Sequence, residues 1–305
     1  MLKNFKQLVQ HLSKSKKNRV VVAMAQDADV LNALNTALTA GIADAILVGA
    51  KKKIVKIAAD NRINLKNYEL IDIDDEISAI REAVKIVKRG DAQVLMKGIC
   101  STANFLKGIL DKENGLRSAQ VLSHLAVFES PNYHKLLFMS DAAMNTQPDL
   151  KDKISITENA INAALSLGYK KPKVAILSAV EKVNFEHIPS SADAAIIAKM
   201  GARGQIKNAI IDGPLALDNA LSPKANEVKG LVSEVGGDAD ICIVPNIESG
   251  NIFYKALTIL GKAAVAGVIL GASAPVVLTS RADSDNSKYL SIATALLISS
   301  GKHVL

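Results

Sequence analysis

The chain has 305 residues, 49% of them hydrophobic but only 4% aromatic and none tryptophan, so a large core is available and must be built from Ala, Val, Ile and Leu. The net charge of +7 is scattered, with dense runs only at Lys14–Arg19 and Lys51–Lys53, and neither run is interleaved with aromatics that could stack on bases. This argues against nucleic-acid binding and suits an enzyme of anionic substrates, while two distant cysteines, Cys100 and Cys242, form no disulfide framework and no metal-ligand pattern.

The N-terminal stretch "MLKNFKQLVQHLSKSKK" alternates apolar and basic residues at helical spacing and lacks the continuous apolar core of a signal peptide. Strands are expected at "RVVVAMA" (19–25), "ADAILVG" (43–49), "YELIDI" (68–73) and "AQVLMKG" (92–98), with helical segments between them such as "DADVLNALNTALTAG" and "DEISAIREAVKIVKRG". The second of these opens on acids and closes on Lys-Arg-Gly, as the helix dipole and a glycine cap prefer. Between Ala119 and Asp149 the pattern loosens, and "LSHLAVFES" and "YHKLLFMSDAA" read as adjacent strands joined by a turn at "SPN". Alternation resumes with "KVAILSA", "NAIIDGP", "DICIVPN", "AVAGVIL" and "APVVLTS" as strands. The longest apolar stretch, Ala263–Leu278, is broken by Gly and Pro and falls short of a membrane span, so a cytoplasmic protein with no membrane partner is expected. Repeated βα units predict an α/β protein with mostly parallel sheets and right-handed crossovers. The length suits two domains, with the irregular stretch near Pro131 as the boundary.

Ligands of open α/β sheets bind beyond the carboxyl ends of the strands. Those ends carry Lys97, then Asp141 and Asn145, then Asp212 and Pro214, then Asn246, Gly250 and Asn251, then Ser280 and Arg281. Polar turn formers are ordinary at any one of these places, but their recurrence at strand after strand exceeds what turns require. Ser101 and Thr102 are N-cap candidates for a helix that includes Lys107, and "SGNIFYK" offers a second helix start; such termini bind phosphate or carboxylate, although simple capping is the commoner use. The fork of donors on Arg281 matches phosphate, and a surface ion pair with Asp283 or Asp285 is an equal alternative. The chain holds no GxxxxGK[ST], no GxGxxG after a strand, no GxSxG and no HExxH, and its five histidines are dispersed.

Taken together, "LMKG…STANFLKGILDKENGLR", "LSHLAVFESPNY", "SDAAMNTQPDLKDK", "LSAVEKVN", "RGQIKNAIIDGPLALDNALS", "GDADICIVPNIESGNIFYKAL" and "APVVLTSRADSDNSKY" resemble the phosphate acetyltransferase/phosphate butyryltransferase family, and the butyryltransferase branch most of all. The resemblance implies a fold like the isocitrate and isopropylmalate dehydrogenases, with residues 1–132 plus 272–305 as one α/β domain, 133–271 as the other and a cleft between them. It implies reversible transfer of a short-chain acyl group, butyryl before acetyl, between coenzyme A and inorganic phosphate, and members that are homodimers or larger. Coenzyme A and acyl phosphate are then substrates, and neither a cofactor nor a metal is expected. The family's serine-arginine pair matches Ser280 and Arg281. Its thiol-deprotonating aspartate has no match at the same spacing, where Ser287 falls, so Asp283 and Asp285 are the candidates. The family's phosphate-binding arginine in the helix after "LMKG" is matched by Lys107, which keeps the charge without the bidentate fork. Two other readings share the fold: a non-catalytic CoA- or acyl-phosphate-binding protein, and an NAD- and metal-dependent decarboxylating dehydrogenase.

Overall fold

The computed structural model describes residues 2–15, 18–278 and 284–301. In chain order the elements begin α1 (Phe5–Leu12), β1 (Asn18–Ala23), α2 (Ala28–Thr39), β2 (Ala43–Gly49), α3 (Lys51–Asp60), β3 (Tyr68–Asp72), α4 (Glu76–Lys88), β4 (Val94–Lys97) and α5 (Thr102–Ile109). They continue with β5 (Ser123–Glu129), β6 (Leu137–Ser140), α6 (Leu150–Ser166), β7 (Lys173–Leu177), α7 (Pro189–Ala202), β8 (Ile210–Leu215), α8 (Leu217–Leu221) and α9 (Pro223–Lys229). Last come β9 (Ile241–Ile243), α10 (Ile247–Lys255), β10 (Ala264–Leu270), β11 (Val276–Val277) and α11 (Asp285–Gly301). Every strand expected from the sequence is present. The chain divides into two compact units, Phe5–Ala119 with Val265–Leu305, and Met1–Asn4 with Gln120–Ala264.

In the first unit, β2, β1, β4 and β11 are parallel neighbours, β3 lies beyond β2, and β10 runs antiparallel on β11. The β-branched run Val20–Val22 is wholly buried, as a strand covered on both faces requires. Asp27 caps α2 by accepting the Val30 amide at 3.0 Å, and Asp75 caps α4 by accepting the Ser78 amide at 2.8 Å. From β1 the chain winds outward to β2 and β3 and returns to the other side of β1 as β4. The carboxyl ends of β1 and β4 therefore form a topological switch point, the usual mouth for a ligand in such sheets. The connections leaving these two strands cross closely. A Cβ on Gly98 would lie 2.1 Å from the Met24 carbonyl oxygen. Gly98→Ala must push backbone against backbone, so a loss of about 3 kcal/mol is expected, read as a lowered urea midpoint at unchanged slope.

In the second unit the order is β5-β6-β9-β7-β8, with β5 antiparallel to β6 and the remaining pairs parallel. The division into compact units falls at 119/120 and 264/265, and the hairpin of β5 and β6 keeps both strands of one hydrogen-bonded ladder in the second unit. The amino ends of β6, β7 and β9 are tied by charge. Lys135, 5% exposed, reaches Asp240 at 2.6 Å and Asp238 at 2.8 Å, and Lys173 reaches Asp238 at 2.7 Å. Asp240 also accepts the Lys173 amide at 2.8 Å, and His134 meets Asp238 at 3.0 Å. No helix among the described residues is long and apolar enough to cross a membrane.

Candidate active site

The carboxyl edge of the first unit gathers several of the expected residues. Lys97 ends β4, half-buried, and its ammonium donates to the Gly98 carbonyl at 3.2 Å. Ser101 is the N-cap of α5 and Thr102 is its first residue, both exposed. The first-turn amides of an α-helix have no partner within it, so those of Thr102 and Ala103 are available to an anion. One acid already serves this end: Glu76 accepts from the Ser101 amide at 3.1 Å and the Asn104 side chain at 2.8 Å. The sequence assigned Glu76 only to the first turn of its own helix; its second duty depends on how α4 and α5 pack. Lys107 lies in the last turn of α5, exposed, at the opposite end from Lys97 and Ser101. Between them Cys100 is buried, and burial pushes its thiol up to about 11 against the opposing pull of Lys97, so it is no nucleophile at neutral pH.

Strand β11 is parallel to β4, with Val277 beside Met96, so the chain leaves β11 at the level of Lys97. Ser280, Arg281 and Asp283 lie outside the described residues. Asp285 opens α11, exposed, at a helix N-terminus that suits a negative charge. The neighbouring Ser284 hydroxyl accepts the Ser287 amide at 3.1 Å. One turn on, Lys288 is buried and its ammonium lies 3.3 Å from Asp29 in the first turn of α2. This pair secures the start of α11 to the switch point, and it escaped the sequence reading because the partners are far apart along the chain.

In the second unit, most of the expected residues organise loops. The buried Asp141 accepts the amides of Ala143 at 2.8 Å and Met144 at 2.9 Å, and its other oxygen accepts from Asn145 at 2.6 Å. Asn145 donates as well to the Leu122 carbonyl at 2.8 Å. Asp212 accepts from the Gly213 amide at 2.8 Å and from the Ser233 hydroxyl, and Pro214 is buried in β8 behind a cis peptide bond. Asn246 caps α10 through the Ser249 amide at 3.0 Å and hydroxyl at 2.8 Å. Gly250 is the point of closest approach, since a Cβ there would lie 2.8 Å from the Asp141 carbonyl oxygen. Asn251, in contrast, is exposed on α10. A salt-bridged cluster sits at the same edge: Lys229 holds Glu181 at 2.5 Å and Asp218 at 2.9 Å and keeps both carboxyls below their ordinary range. Among the described residues no group of three or more His, Cys, Asp or Glu side chains could hold a metal ion.

A family model described as phosphate acetyl/butaryl transferase matches residues 4–80 and 76–296. A phosphate butyryltransferase of Clostridium acetobutylicum is 46% identical over 302 residues, covering 99% of this chain and 100% of that protein. Among solved structures, a branched-chain phosphotransacylase from Enterococcus faecalis superposes with a TM-score of 0.82 at 36% identity, over 92% of this chain and 99% of that one. A 4-hydroxythreonine-4-phosphate dehydrogenase from Klebsiella pneumoniae shares the fold alone, with a TM-score of 0.55 at 14% identity over 93% of this chain and 100% of that one.

Proposed function

The chain belongs to the phosphate acetyl/butaryl transferase family, and on that footing we propose that it transfers a short-chain acyl group reversibly between coenzyme A and inorganic phosphate, with butyryl preferred to acetyl. The observation that carries this reading is the likeness to a phosphate butyryltransferase across nearly the whole of both chains.

The forward chemistry is an attack of the coenzyme A thiol on the carbonyl carbon of an acyl phosphate. A sulfur–carbon bond forms, the carbon–oxygen bond to phosphorus breaks with its electron pair going to phosphate, and the thiol proton passes to a carboxylate. Asp283 or Asp285 takes that proton. Ser280 and Arg281 hold the charge that builds on the acyl oxygen and the departing phosphate, where preorganised donors act most strongly. Lys97 and the first-turn amides of Thr102 and Ala103, behind the Ser101 cap, add positive potential at the same edge, supported by the exit of β11 beside β4. Lys107, exposed in the last turn of α5, serves the anionic parts of coenzyme A. Asp141, Asn145, Asp212, Pro214, Asn246 and Gly250 shape the second unit's loops for the substrate, and Asn251 offers its amide directly. The active form is a homodimer or a larger homo-oligomer, and the buried, unpaired cysteines suit the reducing cytoplasm.

Purified protein is expected to release free thiol from butyryl-CoA only when phosphate is present, followed with a thiol-reactive dye. Rates should fall from butyryl- to acetyl-CoA at saturating phosphate. Absence of release from every short-chain acyl-CoA would overturn the reading.

A further inference from the structure

Every residue of α11 from Leu290 to Ser299 is buried, and the side chains there are aliphatic, alanine or small hydroxyls. A helix buried all round is not oriented by an apolar stripe, because the pattern gives little preference for one rotation about its axis over another. Polar contacts orient it instead. The Gly267 amide of β10 donates to the Ser291 hydroxyl at 2.9 Å, and near the far end the Asn18 side chain donates to the Ser300 hydroxyl at 3.0 Å. Closest to the helix start is Lys288, whose ammonium lies 3.3 Å from Asp29 in the first turn of α2.

Stability alone does not account for a lysine at this position. The side chain is 4% exposed, so its stem does not carry the ammonium out to water. It occupies the first turn of a 17-residue helix, the end at which the dipole disfavours a cation. Its carboxylate partner is 50% exposed, and water screens the attraction that would offset both penalties. A buried charge held at such cost specifies an arrangement more than it strengthens one, and fixing register is the best-attested use of such groups. Asp285 stands three residues before Lys288, within one turn on neighbouring positions of the helix surface. We propose that Lys288 is a positioning residue: through Asp29 it fixes the rotation of α11, and with it the place of the Asp285 carboxylate as the base that takes the thiol proton. This role rests on the acyl-transfer reading, and it selects Asp285 over Asp283.

The test measures stability and turnover on the same full-length variants, with butyryl phosphate and coenzyme A as substrates. Lys288→Met keeps the bulk and removes the charge, and it leaves Asp29 half-exposed and hydrated. Its urea midpoint should therefore equal or exceed the parent's. Its kcat should fall at least about tenfold, while KM for coenzyme A changes less than about twofold. Asp29→Asn takes the carboxylate from a buried ammonium and should lower both the midpoint and kcat. In the double variant the midpoint should return and kcat should not. A merely structural lysine gives a different pattern, with kcat following the midpoint across all three. In an Asp285→Asn background Lys288→Met should cost nothing further, since the carboxylate that it positions is gone. Full turnover by Lys288→Met, a loss confined to KM, turnover that follows stability, or additive losses with Asp285→Asn would each overturn the proposal. The acyl-transfer reading fails separately, on a parent with no turnover of any short-chain acyl substrate, and the positioning role falls with it.

Discussion

An Arg281→Ala variant is expected to keep the parent's melting temperature and to lose roughly 100- to 1000-fold in kcat for butyryl-CoA with phosphate. The guanidinium is proposed to stabilise charge that exists in the transition state more than in the ground state, so kcat and kcat/KM should fall together. Arg281→Lys should recover only part of the loss, since an ammonium keeps the charge and gives up the paired donors that match a phosphate. The same assay separates catalysis from mere binding. Were the chain a binding protein of this fold, the parent would bind coenzyme A with no turnover for Arg281→Ala to remove. Asn substitutions at Asp283 and Asp285 complete the test: the one that accepts the thiol proton should show the larger loss in the direction that consumes free coenzyme A, with the difference shrinking as pH rises and the thiol ionises unaided.

Lys135→Met is expected to destabilise the fold by about 3 kcal/mol without changing the residues assigned to catalysis. The ammonium is 5% exposed and faces both Asp238 and the nearly buried Asp240. Removing it leaves the Asp240 carboxylate with little water and no cation, and that uncompensated burial is the costly part. Substitution of the whole Lys135–Asp238–Asp240 set by apolar residues of similar volume should cost far less than the single change. The cluster also sets an acid limit. Burial alone would raise the Asp238 carboxyl, but hydrogen bonds and charge from Lys135 and Lys173 outweigh it and hold the group down at about 2, against an ordinary value of 3.8. A depressed carboxyl contributes stability that is complete above its unfolded value and lost as pH falls through its folded one. The parent should therefore lose stability between about pH 4 and pH 2, and Asp238→Asn should flatten that part of the profile in urea melts taken across the range. Asp238 is 41% exposed on its side chain, so water screens the interaction and the change is smaller than a buried pair would give.

Much of the architecture was legible before any coordinates. Strands such as Val20–Ala23 and Ala43–Gly49 are short aliphatic runs bounded by turn residues, and helices such as α4 carry an N-cap acid and a basic last turn, so local chemistry and burial point the same way. The capping role of Ser101 was legible for the same reason, since the residue and the amide it serves are three positions apart. The turn at "SPN" between adjacent strands was legible as well, and the β5–β6 ladder adds that the two strands are antiparallel.

Composition, aliphatic spacing and strand-end chemistry were thus enough to determine an α/β protein, its strands and the polar residues at their carboxyl ends, because each of these depends on residues close together along the chain. Which polar residues at those edges are occupied was decided by the tertiary structure alone. Asp141 and Asn145 bond one another and their loop, Glu76 serves a helix other than its own, Lys288 is committed to Asp29, and α10 buries little beyond Gly250 while leaving its other face to solvent. The physical reason is common to all four: hydrogen-bond saturation and burial are properties of neighbours in space, and those neighbours come from segments that the one-dimensional pattern does not bring together.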